Sequence, residues 1–262
     1  MYELKQVPDA IKIAQQLATN LNITVEPVRD ARSVSWSENS TSLTYDIDSN
    51  RLVYSRSFVS NPTNTNVTPD NAEKIAKSFI EKMPLSLKNY KTVVALLKND
   101  GSNFVSAENI EMADAFEVDF YEMIDNYSIF GQNPKVGSIT IIIDKSGNLL
   151  KLETRLADID FKSFANYPLK SINVASQDVK NKGVVVETKI PAVDPLIGEV
   201  LSIRSINLAD VQLAYFRDIR EKFIIPIYVY EGSLILTDGR QGTATVYLAA
   251  VEDRYFQKTS QP

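Results

Sequence analysis

Two stretches of the chain carry the same apolar stripe. Ala10, Ile13, Ala14, Leu17, Ala18 and Leu21 fall at offsets 0, 3, 4, 7, 8 and 11, and Ala72, Ile75, Ala76, Phe79, Ile80 and Met83 repeat those offsets. This spacing lays apolar side chains along one side of a helix, which must then be buried against something else. Thr68 as N-cap, Pro69 at the first helical position, Asp70 facing the helix dipole and Pro84 after the last turn bound the second helix.

Each helix is followed by strands that also echo one another. Ser42–Leu52 and Ser138–Leu150 both read as strand, turn led by Asp46 or Asp144, and strand. In the second, Asp144-Lys-Ser-Gly-Asn148 has the Asx and Gly chemistry of a hairpin. Ser60–Asn66 is polar, contains Pro62 and lacks periodicity, so it reads as a linker. A third section begins near Ser171 with a weakly patterned helix ending about Gly183, followed by strands at Leu208–Arg217, Phe223–Tyr230 and Thr243–Val251. The expected fold is α+β: tandem units of one helix packed on a short antiparallel sheet. The expected units are 1–60, 65–168 and a β-rich 169–262.

Composition narrows the chemistry. The 262 residues include no Cys and no His, which excludes Cys/His zinc sites, haem, iron–sulfur clusters, thiol nucleophiles and relays through His. The net charge of −5 offers no basic surface for nucleic acid. No apolar run approaches the roughly 20 residues that span a bilayer, and no signal-peptide core follows Met1–Lys5, so no membrane insertion by the chain itself is expected.

The helix Thr68–Met83, the strands after it and Gly137–Leu149 resemble a PepSY-type unit, whose sheet ends in a hydrophobic-Asp-x-x-Gly-x-hydrophobic hairpin. Tyr127–Gly137 is similar to the Gly- and Pro-containing loop that leads into that hairpin. Leu213–Phe216, Ile225–Gly232 and Val246–Val251 resemble the last strands of YycH/YycI-like extracytoplasmic regulators of Gram-positive bacteria. The resemblance spans about 65–251 and departs from the pattern at Asn50, where the first hairpin has no Gly, and in the membrane anchor those families carry at the N-terminus. It implies tandem units of PepSY-like or cystatin-like architecture in a non-catalytic, membrane-tethered envelope protein that binds a protein or peptide partner and uses no cofactor.

Among candidate sites, Asp114, Glu117, Asp119 and Glu122 surround a strand at Phe116–Tyr121. Glu117 and Asp119 share one strand face roughly 7 Å apart, a spacing open to carboxylate-pair glycan chemistry. The plainer reading is a solvated face opposite Phe116, Val118 and Phe120. Asp46, Asp48 and Asn50 alternate like the start of a calcium loop, but Arg51 stands where Gly is needed and Ser57 where Glu should close it. Gly239–Gly242 lacks the Lys-Ser/Thr of a phosphate cradle. No catalytic or metal-binding residue is therefore assigned. Aromatic residues gather late in the chain, from Tyr215 to Phe256, and Tyr is favoured at interfaces. The expected partner-binding residues are Tyr127 and Phe130, in a long loop at Asp125–Gly137, with Tyr215, Tyr228 and Tyr230. Two other functions stay open: a carboxylate-dependent enzyme on glycans, and a structural envelope module.

Overall fold

The computed structural model describes residues 1–58, 67–81, 89–101, 103–134, 137–190, 202–217 and 223–255. In chain order its elements begin with β1 (Tyr2–Gln6), α1 (Ala10–Asn20), β2 (Val28–Arg29), β3 (Ser33–Glu38), β4 (Thr41–Asp46), β5 (Arg51–Arg56) and α2 (Pro69–Glu81). They continue with β6 (Tyr90–Asn99), β7 (Phe104–Ser106), β8 (Ala115–Ile124), β9 (Tyr127–Phe130), β10 (Ile139–Asp144), β11 (Leu149–Arg155) and β12 (Ala157–Phe164). α3 (Ile172–Lys182), β13 (Val184–Lys189), β14 (Ile203–Arg217), β15 (Phe223–Leu236) and β16 (Gln241–Ala249) complete the series. The expected linker at Ser60–Asn66, together with Met83, Pro84 and Phe256, lies outside the described residues.

The chain divides into two compact units, an amino-terminal one made of 4–125 and 136–159 and a carboxy-terminal one made of 1–3, 126–135 and 160–262. In the amino-terminal unit nine strands form one antiparallel sheet in the order β2-β3-β4-β5-β11-β10-β8-β6-β7. This overturns the expected tandem of one-helix, small-sheet units, as does the balance of 53% strand to 17% helix among the described residues. The physical reason lies at β5 and β11, the outer strands of the two echoing hairpins. Each would be an unpaired edge in a separate unit, and instead they pair from Lys151↔Ser55 to Arg155↔Arg51.

The helical stripes behave as their spacing dictates. Ala14, Leu17 and Ala18 of α1 and Ala72, Ala76 and Ile80 of α2 are buried on a single core with Trp36, Leu43, Leu52, Phe116, Phe120, Ile141 and Leu152. Thr68 caps α2, its hydroxyl accepting from the Asn71 N–H at 3.4 Å. The two hairpin turns match in chemistry: Asp46 Oδ1 accepts the Ser49 N–H at 2.7 Å, and Asp144 Oδ1 accepts the Ser146 and Asn148 N–H groups, both at 2.8 Å. Asn50, at φ 51, takes the left-handed conformation that Gly147 takes at φ 84, which Asn tolerates better than most side chains. Asn50 therefore departs from the pattern in residue type and keeps it in shape.

The carboxy-terminal unit is centred on β15. One edge pairs with the fifteen-residue β14 from Arg217↔Ile224 to Ile203↔Leu236; the other pairs with β16 and, at its start, with Tyr2 and Glu3. β16 in turn carries β13, and β14 carries β9 in parallel. The helix expected at Ser171–Gly183 is α3. Ser171 caps it by accepting the Val174 N–H, and it buries Ala175 and Val179 against Tyr228, Tyr230, Val246, Leu248 and Ala250. Among the described residues no helix is long and apolar enough to cross a membrane.

Candidate functional site

Strand periodicity builds an aromatic surface in the carboxy-terminal unit. Tyr215 of β14 pairs with Pro226 and with Ile129, and Tyr2 pairs with Ile224, so Tyr2 and Tyr215 project from the same sheet face. Their ring centroids lie 5.8 Å apart, edge to face. Tyr127 meets Tyr215 at 6.3 Å, and Phe161 and Phe164 of β12 meet Tyr2 at 5.8 and 6.1 Å. The Ser163 hydroxyl donates to Glu3 Oε2 at 2.7 Å and holds this end of the strand against β1. These are favourable aromatic geometries, yet the rings are not sealed: Tyr127 is 40% exposed, Phe161 49% and Phe164 57%. A contiguous group of rings open to solvent is the kind of surface that monomeric proteins rarely leave without use.

The five expected partner-binding residues are only partly brought together. Tyr127 and Tyr215 join in this cluster. Phe130 pairs with Phe216, on the opposite face, and its ring stacks 6.4 Å from Tyr247. Tyr228 and Tyr230 share the face of Pro226, but farther along β15, where α3 covers them; both are buried. Those two are therefore removed from the exposed contact surface. The segment read as a long loop at Asp125–Gly137 contains instead β9, whose parallel pairing with β14 places Tyr127 beside the sheet. Sequence reasoning missed Tyr2, Phe161 and Phe164. The signal was Phe-x-x-Phe at 161–164 in an otherwise polar stretch, too short to show either period.

Glu117 and Asp119 of β8 occupy the amino-terminal unit's sheet face opposite α1 and α2, whereas Glu122 alternates to the face of Phe116 and Phe120. The face of Glu117 and Asp119 is less solvated than alternation suggested, for Asp119 is buried. Asp119 Oδ1 accepts from the Thr140 hydroxyl and from the Gly137 N–H at 3.2 Å. Burial pushes the Asp119 carboxyl above its ordinary range, and burial followed by the charge of Asp119 does the same to Glu117. Glu153 is also partly buried, but hydrogen bonds from Arg51 at 2.7 Å and Lys151 at 3.1 Å outweigh burial and hold it low. A raised carboxyl suits a general acid, but Asp119 Oδ1 is committed to two donors within its own sheet.

A second charged group ties α3 to the chain after β16. The buried Lys170 ammonium pairs with Asp178 at 3.1 Å and Asp253 at 2.6 Å, and Lys182 contacts the same two carboxylates. The Lys170 hydrogen bond, then that of Lys182, holds Asp253 down to about 2. Four alternating charges satisfy one another here, a structural clamp rather than an open site.

No family model, curated protein or solved structure matches the chain.

Proposed function

We propose that this chain is a non-catalytic protein-binding domain of the cell envelope, extracytoplasmic and tethered to a membrane in its full-length form. It docks a protein partner on the rings of Tyr2, Tyr127, Phe161, Phe164 and Tyr215. The observation that carries the reading is the exposure of three rings in one contiguous cluster. Rigid amphipathic rings give large contact area at small entropic cost, which is why they recur at interface centres. The resemblance to PepSY-type and YycH/YycI-like domains supports an envelope regulator, and the absence of Cys and His narrows the enzymatic alternatives. The acidic charge favours a protein partner over nucleic acid.

The test places a photo-cross-linking residue at Phe164, or as a control at Val28 of β2, which is 76% exposed in the other unit. Each tagged chain is mixed with a detergent-solubilised envelope fraction of the source organism. A saturable cross-linked species from position 164, absent from position 28 and not competed by a Phe161→Ser/Phe164→Ser chain, is the expected result. Equal labelling from both positions, or self-cross-links alone, rejects the proposal.

A further inference from the structure

Among the described residues the outer edge of β14 from Ile203 to Val211 has no strand partner, since β9 joins that strand only at Tyr215 and Phe216. An open edge presents unpaired backbone N–H and C=O groups, a template for another strand unless something guards it. Here the guard is a pair of bulges. Register slips between Ile203 and Ser205 and between Leu208 and Asp210 make Arg204 and Ala209 the extra residues. The second bulge is fixed by Gly232 of β15, where a Cβ would overlap the Asn207 carbonyl oxygen. A regular strand cannot follow two extra residues, so such an edge ordinarily turns strands away.

The bulges stand symmetrically about Asn207, and so do the side chains. Residues directly opposite in an antiparallel pair share a face. Ile203, Ile206, Leu208 and Val211 lie opposite Leu236, Leu234, Gly232 and Tyr230 and project to the side of α3. Ser205, Asn207 and Asp210 lie opposite Ile235, Ser233 and Glu231 and project to the other side. The alternation from Ile203 to Val211 therefore reads the same in both directions. Its two aliphatic ends are open to solvent, Ile203 at 44% and Val211 at 39%. Its charges are also unmet. Asp210 faces Glu231 directly, a like-charge pair that repels. Neither makes an ion pair among the described residues, and nor does Arg204.

We propose that β14 pairs with β14 of a second copy of this chain, antiparallel and with Asn207 on the two-fold axis. In that register Ile203 meets Val211 of the other copy, Ile206 meets Leu208, and Arg204 meets Asp210, each contact being made twice by symmetry. The bulges of one copy fall opposite those of the other, so the pairing stays one to one. A foreign strand lacks this reversed pattern, which is what selects a second copy. Arg204 brings the cation that Asp210 and Glu231 lack. The contact is separate from the aromatic surface, because Tyr215 stands about 26 Å along the strand from Asn207 at ~3.3 Å per residue.

The experiment is sedimentation velocity of the full chain across the micromolar range, where a reversible dimer is expected. Arg204→Asp and Asp210→Arg, both at exposed positions, should each raise the dissociation constant at least about tenfold. An equimolar mixture of the two variants should associate as the wild type does, because each offers the charge that the other lacks. Register is read separately. The chain has no cysteine, so Asn207→Cys supplies a single thiol. On the two-fold axis it lies roughly 5 Å from its copy, within reach of a disulfide, whereas Ser205→Cys stands about 13 Å along the strand from its own. Mild oxidation should make a covalent dimer from Asn207→Cys and not from Ser205→Cys. A monomer at every concentration leaves the edge to another occupant and overturns the proposal. A dimer indifferent to both charge reversals, a mixture that fails to associate, or equal oxidation of the two cysteine variants overturns it as well.

Discussion

The amino-terminal unit covers one face of its sheet with two strongly striped helices, whereas the carboxy-terminal unit has one weakly striped helix for strands of up to fifteen residues. α1 and α2 together bury six apolar side chains, and the strands beneath them supply large residues such as Phe116, Phe120 and Leu152. α3 buries only Ala175 and Val179 and leaves Ile172 and Val174 exposed. A helix covers only the length of strand that its stripe can reach. The face of β14 and β15 beyond α3 is therefore left to the rings of Tyr2, Tyr127 and Tyr215, and β14 itself is largely exposed from Ile203 to Val211. Apolar surface uncovered by the fold's own elements is where we place the function.

If stability is concentrated under the two helices, Phe120→Ala should cost about 4 kcal/mol, as expected for an aromatic ring lost from a closed core. Val179→Ala, beneath α3, should cost about 2 kcal/mol. Urea denaturation of both variants checks this, and equal losses would break the comparison. The carboxy-terminal unit makes up part of the deficit by charge. Lys170→Met should cost about 2 kcal/mol, less than the ~3–5 kcal/mol of a fully buried pair, because Asp253 is half exposed and Lys182 remains beside it. A neutral outcome would show that the clamp fixes the orientation of α3 without adding stability.

Acid should separate the two units by the sign of their response. Asp253 is held down to about 2, below its unfolded value. Its stabilisation is complete above the ordinary Asp range near ~4 and is lost as pH falls through that interval. Asp119 and Glu117 are displaced the other way. With folded values above unfolded ones, they favour the folded state in acid and oppose it as pH rises through the window just above the ordinary carboxylate range. The stability difference between wild type and Lys170→Met should thus shrink on acidification. Asp119→Asn should be more stable than wild type near neutrality, and that advantage should vanish in acid. Chemical denaturation at a series of pH values reads both slopes; the same sign for both would contradict the assigned causes.

The helices were legible because their stripes are local, and so were the Asp-led turns, whose hydrogen bonds close within four residues. The merging of the first two hairpins was not, because Lys151↔Ser55 is a choice between edges, and an alternating strand reads the same whether its edge is free or paired. The same limit applies to the site. Tyr228 and Tyr230 show the alternation of a half-exposed strand, and only the position of α3 decides that they are covered. Tyr2 enters the cluster by pairing with Ile224, more than two hundred residues away, and no local pattern encodes that contact.

The smallest expected effect bears most directly on function. Phe164 is 57% exposed and touches the cluster through Tyr2. Phe164→Ser should leave stability within about 0.5 kcal/mol, the range of ordinary surface substitutions, while removing a ring from the proposed docking surface. The comparison predicts a dissociation between two readouts: an unfolding midpoint that hardly moves, and partner capture at the neighbouring Phe161 position that falls severalfold. Were Phe164→Ser instead to destabilise the chain as much as Val179→Ala, the ring would belong to the unit's core. The aromatic surface would then be packing that α3 is too short to cover, and the argument for a partner at that face would lose its basis.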